Sequence, residues 1–160
     1  MNAAKIAQPT ADKYQSKFDL GEDFIASFNM GRMIPIYCRP LLPGDSIKYN
    51  VEALVRFSAL LAPVMHRAYL KIRGFKVLNR MLWPQWDEYI TEQNIGITGP
   101  FFSGMDVPGE GSLADYLGIP TNIPAASSGL PVSAFPFAAY ALIRDEWYRN
   151  QFVMTNEVFT

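Results

Sequence analysis

The side chains that most often perform chemistry are few in this sequence and do not form a catalytic or metal-binding pattern. Cys38 and His66 are the only cysteine and histidine among the 160 residues, so neither has a second thiol or imidazole with which to share a metal. Adjacent carboxylates at 87–88 and 145–146 fall on predicted helices, where neighbours at i and i+1 diverge. Phosphate-binding glycine loops and the G-x-S-x-G motif are absent. We therefore predict no enzyme activity, no metal and no cofactor.

A basic segment in the middle of the chain suggests a different kind of chemistry. Residues 33–82 hold eight Lys/Arg and two acids, a net charge of +6, whereas residues 83–160 have a net charge of −7. Arg67, Lys71 and Arg73 occupy one side of an alternating pattern, with Tyr69 among them. Cations that flank an aromatic ring can hold phosphates and stack a base. The same residues could equally form the solvated face of a sheet.

Alternating polarity predicts where this segment is extended. Residues 47–57 alternate between apolar and polar side chains, with Leu54 as the exception, and a second alternation covers 66–78. We expect 46–58 and 66–78 to form adjacent antiparallel strands. Residues 34–46 are also strand-like but contain three prolines, which cannot donate to a ladder and indicate an edge strand. The sequence PGDS at 43–46 predicts a turn.

The second half of the sequence predicts short helices separated by long loops. A helix should begin near Pro84, a second should cover Ser112–Leu117 and end at Gly118, and a third should have Pro136 in its first turn and run to about residue 150. Glycine and proline make 94–111 a long loop. Residues 1–17 are polar and aperiodic and are interpreted as a flexible arm. The predicted sheet is too small to bury its own apolar faces.

Five stretches in one order give the sequence a resemblance to a known family. They are FDLGEDFIASFNMGRMIPIY (18–37), LLPGDSIKYNVEALVRFSALLAPVMHR (41–67), VLNRMLWPQWDEYIT (77–91), GSLADYLGIPT (111–121) and VSAFPFAAYALIRDEWYRNQ (132–151). The chain resembles the N-terminal portion of the major capsid protein of microviruses, the small icosahedral phages with single-stranded DNA, especially the gokushovirus-type branch.

The resemblance implies a mainly β fold, the viral jelly roll, in which eight antiparallel strands form a sandwich with helical and loop insertions. Family members are several times longer, so we expect 18–160 to be the N-terminal part of one jelly-roll domain that this chain only partly contains. The implied role is a structural subunit of a T=1 icosahedral capsid. The implied location is the virion, after synthesis in the cytoplasm of the bacterial host.

The resemblance also implies partners. They are further capsid subunits in a homo-oligomer, the remainder of the same protein, packaged single-stranded DNA, a small basic internal protein and a DNA-pilot protein, with no membrane. Candidate nucleic-acid-facing residues are Lys5, Lys13, Lys17, Arg67, Lys71 and Arg73. Candidate subunit-interface residues are Pro35, Tyr37, Trp83, Trp86, Tyr140, Trp147 and Tyr148. The alternatives are a sheet-based module that binds single-stranded nucleic acid and, third, a carbohydrate-binding jelly roll or small enzyme.

Overall fold

A few short helices and one small sheet are joined by long extended segments. The computed structural model describes residues 17–62, 65–94, 96–102, 108–121 and 131–154. In chain order its elements are α1 (Asn79–Leu82), α2 (Trp86–Ile90), β1 (Phe101–Phe102), α3 (Leu113–Tyr116), β2 (Val132–Ser133), α4 (Phe135–Ile143) and a π-helical turn (Arg144–Tyr148), called the π turn below. Ala114, Phe137 and Ala141 are its buried apolar residues.

Helix α4 is the longest element, and it supplies most of this core. Pro136 lies in its first turn, as the sequence predicts, because a proline there removes no intrahelical hydrogen bond. Phe137 and Ala141 are four residues apart and therefore share one helix face, which is the buried one. The helix continues into the π turn, which ends at Tyr148, close to the predicted end at about residue 150.

Strands β1 and β2 form a two-residue antiparallel ladder next to α4. Phe101 pairs with Ser133 and Phe102 pairs with Val132. The Phe102 ring meets the Phe137 ring edge-on, with centroids 5.3 Å apart. Sequence analysis assigns Phe101 and Phe102 to a long loop, because two residues are too few to show the alternation that marks a strand.

Helix α3 begins one residue after Ser112, which the sequence analysis places inside the helix, and it ends at Gly118, as the sequence predicts. The Ser112 hydroxyl accepts a hydrogen bond of 3.3 Å from the backbone N–H of Asp115, a side-chain N-cap. Gly118 has a φ of +83°, which side-chain-bearing residues rarely adopt. The N–H groups of Gly118 and Ile119 donate to the carbonyl oxygens of Asp115 and Ala114. This pattern is the Schellman motif, and it confirms the predicted helix end.

The two predicted strands at 46–58 and 66–78 are the main correction to the sequence analysis. Both segments lack ladder hydrogen bonds in the described residues. The turn predicted at 43–46, at the start of the first segment, is present. The alternating apolar side chains are largely exposed, for example 45% for Val51. An alternating strand needs a second layer over its apolar face, and a hairpin without that layer is marginally stable. No such layer covers these segments within the described residues.

The two segments nevertheless contact each other at one point. The hydroxyl of Tyr49 lies across Gly74, so close that a Cβ built on Gly74 would be 3.1 Å from the phenolic oxygen. The eight-stranded jelly roll remains a prediction. Residues 1–16, most of the predicted arm, lie outside the described residues. No helix in the described part of the chain has the length and apolar character needed to cross a membrane.

Candidate assembly and nucleic-acid surfaces

Three aromatic rings and one arginine meet where the basic segment passes the π turn. The Phe75 ring lies 5.7 Å from the Trp147 ring and 6.4 Å from the Tyr148 ring. The guanidinium carbon of Arg73 lies 5.8 Å from the centre of the Tyr148 ring, within cation–π range. We call these four residues the aromatic platform. Residues predicted for two different roles, Arg73 for DNA and Trp147 and Tyr148 for interfaces, are thus one structural unit.

Two consecutive aromatic residues at the end of the π turn contact the same ring. In an α-helix, residues at i and i+1 point in directions about 100° apart. A π turn is wider, and single π turns within helices frequently mark functional sites. Here the turn covers Arg144–Tyr148, and Phe75 packs against both of its last two residues. Trp147 and Tyr148 nevertheless stay 64% and 46% exposed.

Three of the other five candidate nucleic-acid-facing residues lie in the part of the chain that the structure describes. Lys17, Arg67 and Lys71 are exposed, and within the described residues none of them forms an ion pair with a carboxylate. Lys5 and Lys13 lie outside the described residues. The DNA-facing role of all six candidates remains a prediction.

A second aromatic cluster joins α2 to the start of α4. The Phe135 ring lies 6.3 Å from Trp83 and 5.5 Å from Trp86 in edge-on geometry, and the Tyr89 ring contacts both tryptophans. Trp83 and Trp86 are half-buried by these contacts. Both predicted interface residues therefore pack inside the chain on at least one side, and their role between subunits remains a prediction.

The segment before the basic region is tied to the C-terminal helices by two tyrosine hydroxyls. The Tyr140 hydroxyl donates to the carbonyl oxygen of Met33 at 2.9 Å, and the Tyr116 hydroxyl donates to that of Ser27 at 2.7 Å. We call residues 17–39 the N-terminal strap. Burial raises the pKa of Tyr140, and the positive charges of Arg144 and Arg32 oppose that rise. Pro35, a predicted interface residue, is half-buried on the strap.

An ion pair closes the strap on itself. Arg39 donates to a Glu22 carboxylate oxygen at 2.7 Å, and this hydrogen bond with its opposite charge raises the pKa of Arg39. The Arg39 guanidinium also lies 5.9 Å from the centre of the Tyr37 ring. Both ion-pair side chains are about half exposed, so water screens the attraction and its contribution to stability is small.

An open cleft of about 370 Å³ lies between the strap and α3. Phe24–Ser27 form one wall, and Glu110, Gly111, Asp115 and Tyr116 form the other. The Asp115 carboxylate accepts a hydrogen bond of 2.8 Å from the Gly111 N–H and so is engaged within its own wall.

The described residues contain no group of three or more His, Cys, Asp or Glu side chains that could hold a metal. Partial burial raises the pKa of the Cys38 thiol, which is the opposite of what a reactive cysteine needs.

Sequence reasoning missed Phe75 as a member of the platform. The signal was available, because Arg67, Tyr69, Lys71, Arg73 and Phe75 occupy alternate positions and so share one side of an extended chain. It missed the contacts of Tyr116 and Tyr140 with the strap for a different reason. Those partners lie 89 and 107 residues away, and nothing local in the sequence indicates them.

Comparison with known proteins decides what kind of molecule carries these surfaces. A family model described as "Capsid protein (F protein)" matches residues 7–158, nearly the whole chain. The chain belongs to this family. The resemblance to phage capsid proteins described above is thereby confirmed. No solved structure matches the chain with significant similarity.

Curated capsid proteins of three phages are similar to this member of the capsid protein family. The capsid protein VP1 of Bdellovibrio phage phiMH2K is 31% identical over 157 residues, which cover 94% of this chain and 29% of that protein. VP1 of Chlamydia phage 1 is 30% identical over 89% of this chain and 25% of its own length. VP1 of Spiroplasma virus 4 is 31% identical over 86% of this chain and 25% of its own length. The chain thus spans between a quarter and a third of the length of the relatives it matches.

Proposed function

We propose that this chain is part of a structural protein that assembles with further copies of itself into a T=1 icosahedral capsid around a single-stranded DNA genome. The observation that carries the proposal is the match of residues 7–158 to the capsid protein family. The three similar phage proteins are themselves named capsid proteins. The proposed location is the virion, after synthesis in the bacterial host, and the proposed role is structural, without catalysis.

The surface of the chain supports an assembling protein. In the described residues, large apolar side chains such as Phe18, Tyr49 and Leu61 are mostly exposed. Apolar surface of this extent is buried in a stable assembly, by the remainder of the same protein and by neighbouring subunits.

The fold that we propose for the complete protein is the jelly roll. The apolar side of 47–57 would then be covered by further strands of the same protein, and Pro35, Pro40 and Pro43 would keep neighbouring strands from pairing along one edge. A small basic internal protein and a DNA-pilot protein complete the proposed set of partners. This part of the proposal rests on the family resemblance.

Assembly is the property that tests the proposal. We expect the protein that contains this chain, expressed alone or with its phage partners, to sediment as particles and to give closed shells in electron micrographs. A protein that remains monomeric under all these conditions, in the presence of its phage partners, would contradict the shell function.

A module that binds single-stranded nucleic acid is the second candidate, and the aromatic platform favours it. Such a module would sediment as a monomer and would form a complex with single-stranded DNA that weakens steeply with salt. Sedimentation with and without a DNA oligonucleotide separates the two functions.

A further inference from the structure

We propose that the aromatic platform, made of Arg73, Phe75, Trp147 and Tyr148, is a site where unpaired bases of a single-stranded nucleic acid stack. This inference rests on the proposed function in one respect, since the packaged genome would be the ligand. The site itself is defined by the geometry of the four side chains.

Phe75 contacts both outer rings, and both residues remain partly open to solvent. Phe75 packs against Trp147 at 5.7 Å and against Tyr148 at 6.4 Å, which fixes both rings from within the chain. Trp147 is 64% exposed and Tyr148 is 46% exposed, so each ring keeps surface open to solvent. A ring that is held from within the chain and is partly open to solvent can stack a base with little further loss of side-chain freedom.

The cations beside the rings favour phosphates as the second half of the ligand. Arg73 lies over the Tyr148 ring at 5.8 Å, and it forms no ion pair with a carboxylate within the described residues. Its N–H donors therefore remain available to a phosphate oxygen. Lys71 and Arg67 follow at two and six residues on the same side of the alternating pattern, so positive charge continues away from the rings.

This combination distinguishes the ligand from its competitors. Stacking needs an exposed base face, which a duplex hides between its base pairs, so the rings select single strands. A neutral sugar would also stack on Trp147 or Tyr148, but it carries no negative charge that a row of cations could bind. Every base has a π-face, so the platform should bind without sequence preference.

Ultraviolet cross-linking of the complete protein to DNA tests the site directly. Trypsin releases Trp147 and Tyr148 on the peptide 145–149, whereas Trp83 and Trp86 fall on the separate peptide 81–144, because no Lys or Arg lies between Arg80 and Arg144. We expect thymidine adducts on peptide 145–149 when the full-length protein is irradiated together with oligothymidylate. We expect the same adducts when intact particles are irradiated. Peptide 81–144 is the internal control. Adducts on other peptides but not on 145–149, or no adducts at all, would overturn the proposal.

Variants separate stacking from protein contacts. Trp147→Leu and Tyr148→Leu should weaken oligothymidylate binding about tenfold or more, the scale of one lost base stack. Trp147→Phe and Tyr148→Phe, which keep an aromatic face, should retain most of the binding. If the leucine and phenylalanine variants all abolish particle formation while oligothymidylate binding is unchanged, the platform is an interface between subunits and the proposal is wrong. Failure of the wild-type protein to form particles would contradict the shell function but not the stacking site, since oligothymidylate binding is measured independently.

Discussion

The hydroxyl of Tyr140 donates a hydrogen bond to the carbonyl oxygen of Met33, 107 residues earlier in the chain. This bond joins helix α4 to the N-terminal strap, and both partners are half-buried. The bond from Tyr116 to Ser27 makes a second tie nearer the start of the strap. The strap has no helix or strand in the described residues, so these side-chain bonds decide how firmly it is held.

Tyr140→Phe should loosen the strap without disturbing α4. The substitution leaves the Met33 carbonyl without its donor, a loss of about 1 kcal/mol that corresponds to roughly fivefold more frequent opening. Trypsin cleaves after Arg32, beside Met33, so the cleavage rate there measures the opening. Tyr89→Phe is the matched control, since the Tyr89 hydroxyl makes no hydrogen bond within the described residues. Equal cleavage in both variants would contradict the role of Tyr140.

The same hydroxyl gives the strap a dependence on alkaline pH. Burial raises the pKa of Tyr140 above its ordinary value of 10.0, so the docked strap favours the neutral phenol. The contribution to docking is therefore fully present below pH 10 and is lost as the pH rises through the raised pKa. The difference in phenolate absorbance between wild type and Tyr140→Phe should have a midpoint above 10. A midpoint at or below 10 would mean that the hydroxyl is solvated.

Val51→Asp should affect assembly far more than it affects the chain itself. Val51 is 45% exposed, so an aspartate there meets water, and the circular dichroism of the 160-residue chain should not change. If further strands cover this face in the complete protein, the same carboxylate is buried unpaired at a cost of several kcal/mol, and particle yield should collapse.

Asn50→Asp provides the control for that experiment, because it adds the same charge at the neighbouring position on the opposite side of the alternation. We expect this variant to assemble normally. Normal particle yield from Val51→Asp would show that the apolar face stays uncovered, which would count against the jelly roll.

Phe137→Ala should destabilise the protein far more than Phe152→Ala. Phe137 is 9% exposed and meets Phe102, so removing its ring leaves a cavity in a very small core and should lower the free energy of unfolding by about 1 kcal/mol or more. Phe152 is 98% exposed, and Phe152→Ala should change stability by less than about 0.5 kcal/mol. Urea denaturation followed by far-ultraviolet circular dichroism compares the two variants. Similar midpoints would place the core elsewhere.

Gly118→Ala should fray the end of α3. Gly118 has a φ of +83°, where a Cβ costs about 1–2 kcal/mol, and its conformation positions the Ile119 N–H on the Ala114 carbonyl. Hydrogen exchange at the Ile119 amide should therefore be faster in the variant. Gly109→Ala is the control, because no atom lies within 4 Å of the added Cβ and its φ is not in the left-handed range. Unchanged exchange at Ile119 would contradict the cap.

Features that depend on a few consecutive residues could be predicted from the sequence. The Gly118 helix end and the turn at 43–46 each follow from the conformational preferences of their own residues. The extended ladder predicted from Val51 and its neighbours is different, because alternation predicts a strand only where something packs on one side. That partner is a property of the assembled protein, and the alternation by itself does not provide it.

The candidate site likewise combines residues that the sequence reveals with a long-range contact that it does not reveal. The row of cations ending at Arg73 is visible in the sequence, and so are the aromatic residues after Ile143. The contact between these two groups is not visible in the sequence, because Phe75 lies more than 70 residues before Trp147 and Tyr148. Contacts over such distances depend on the path of the whole chain between them.

The π turn also has a consequence for how this protein can evolve. A π turn places one extra residue in the helical repeat, so Arg144–Tyr148 is out of phase with the stripe formed by Phe137 and Ala141. Deletion of a single residue such as Glu146 would remove that extra residue and turn Trp147 and Tyr148 relative to the stripe, so a change of length in this turn redirects the two rings.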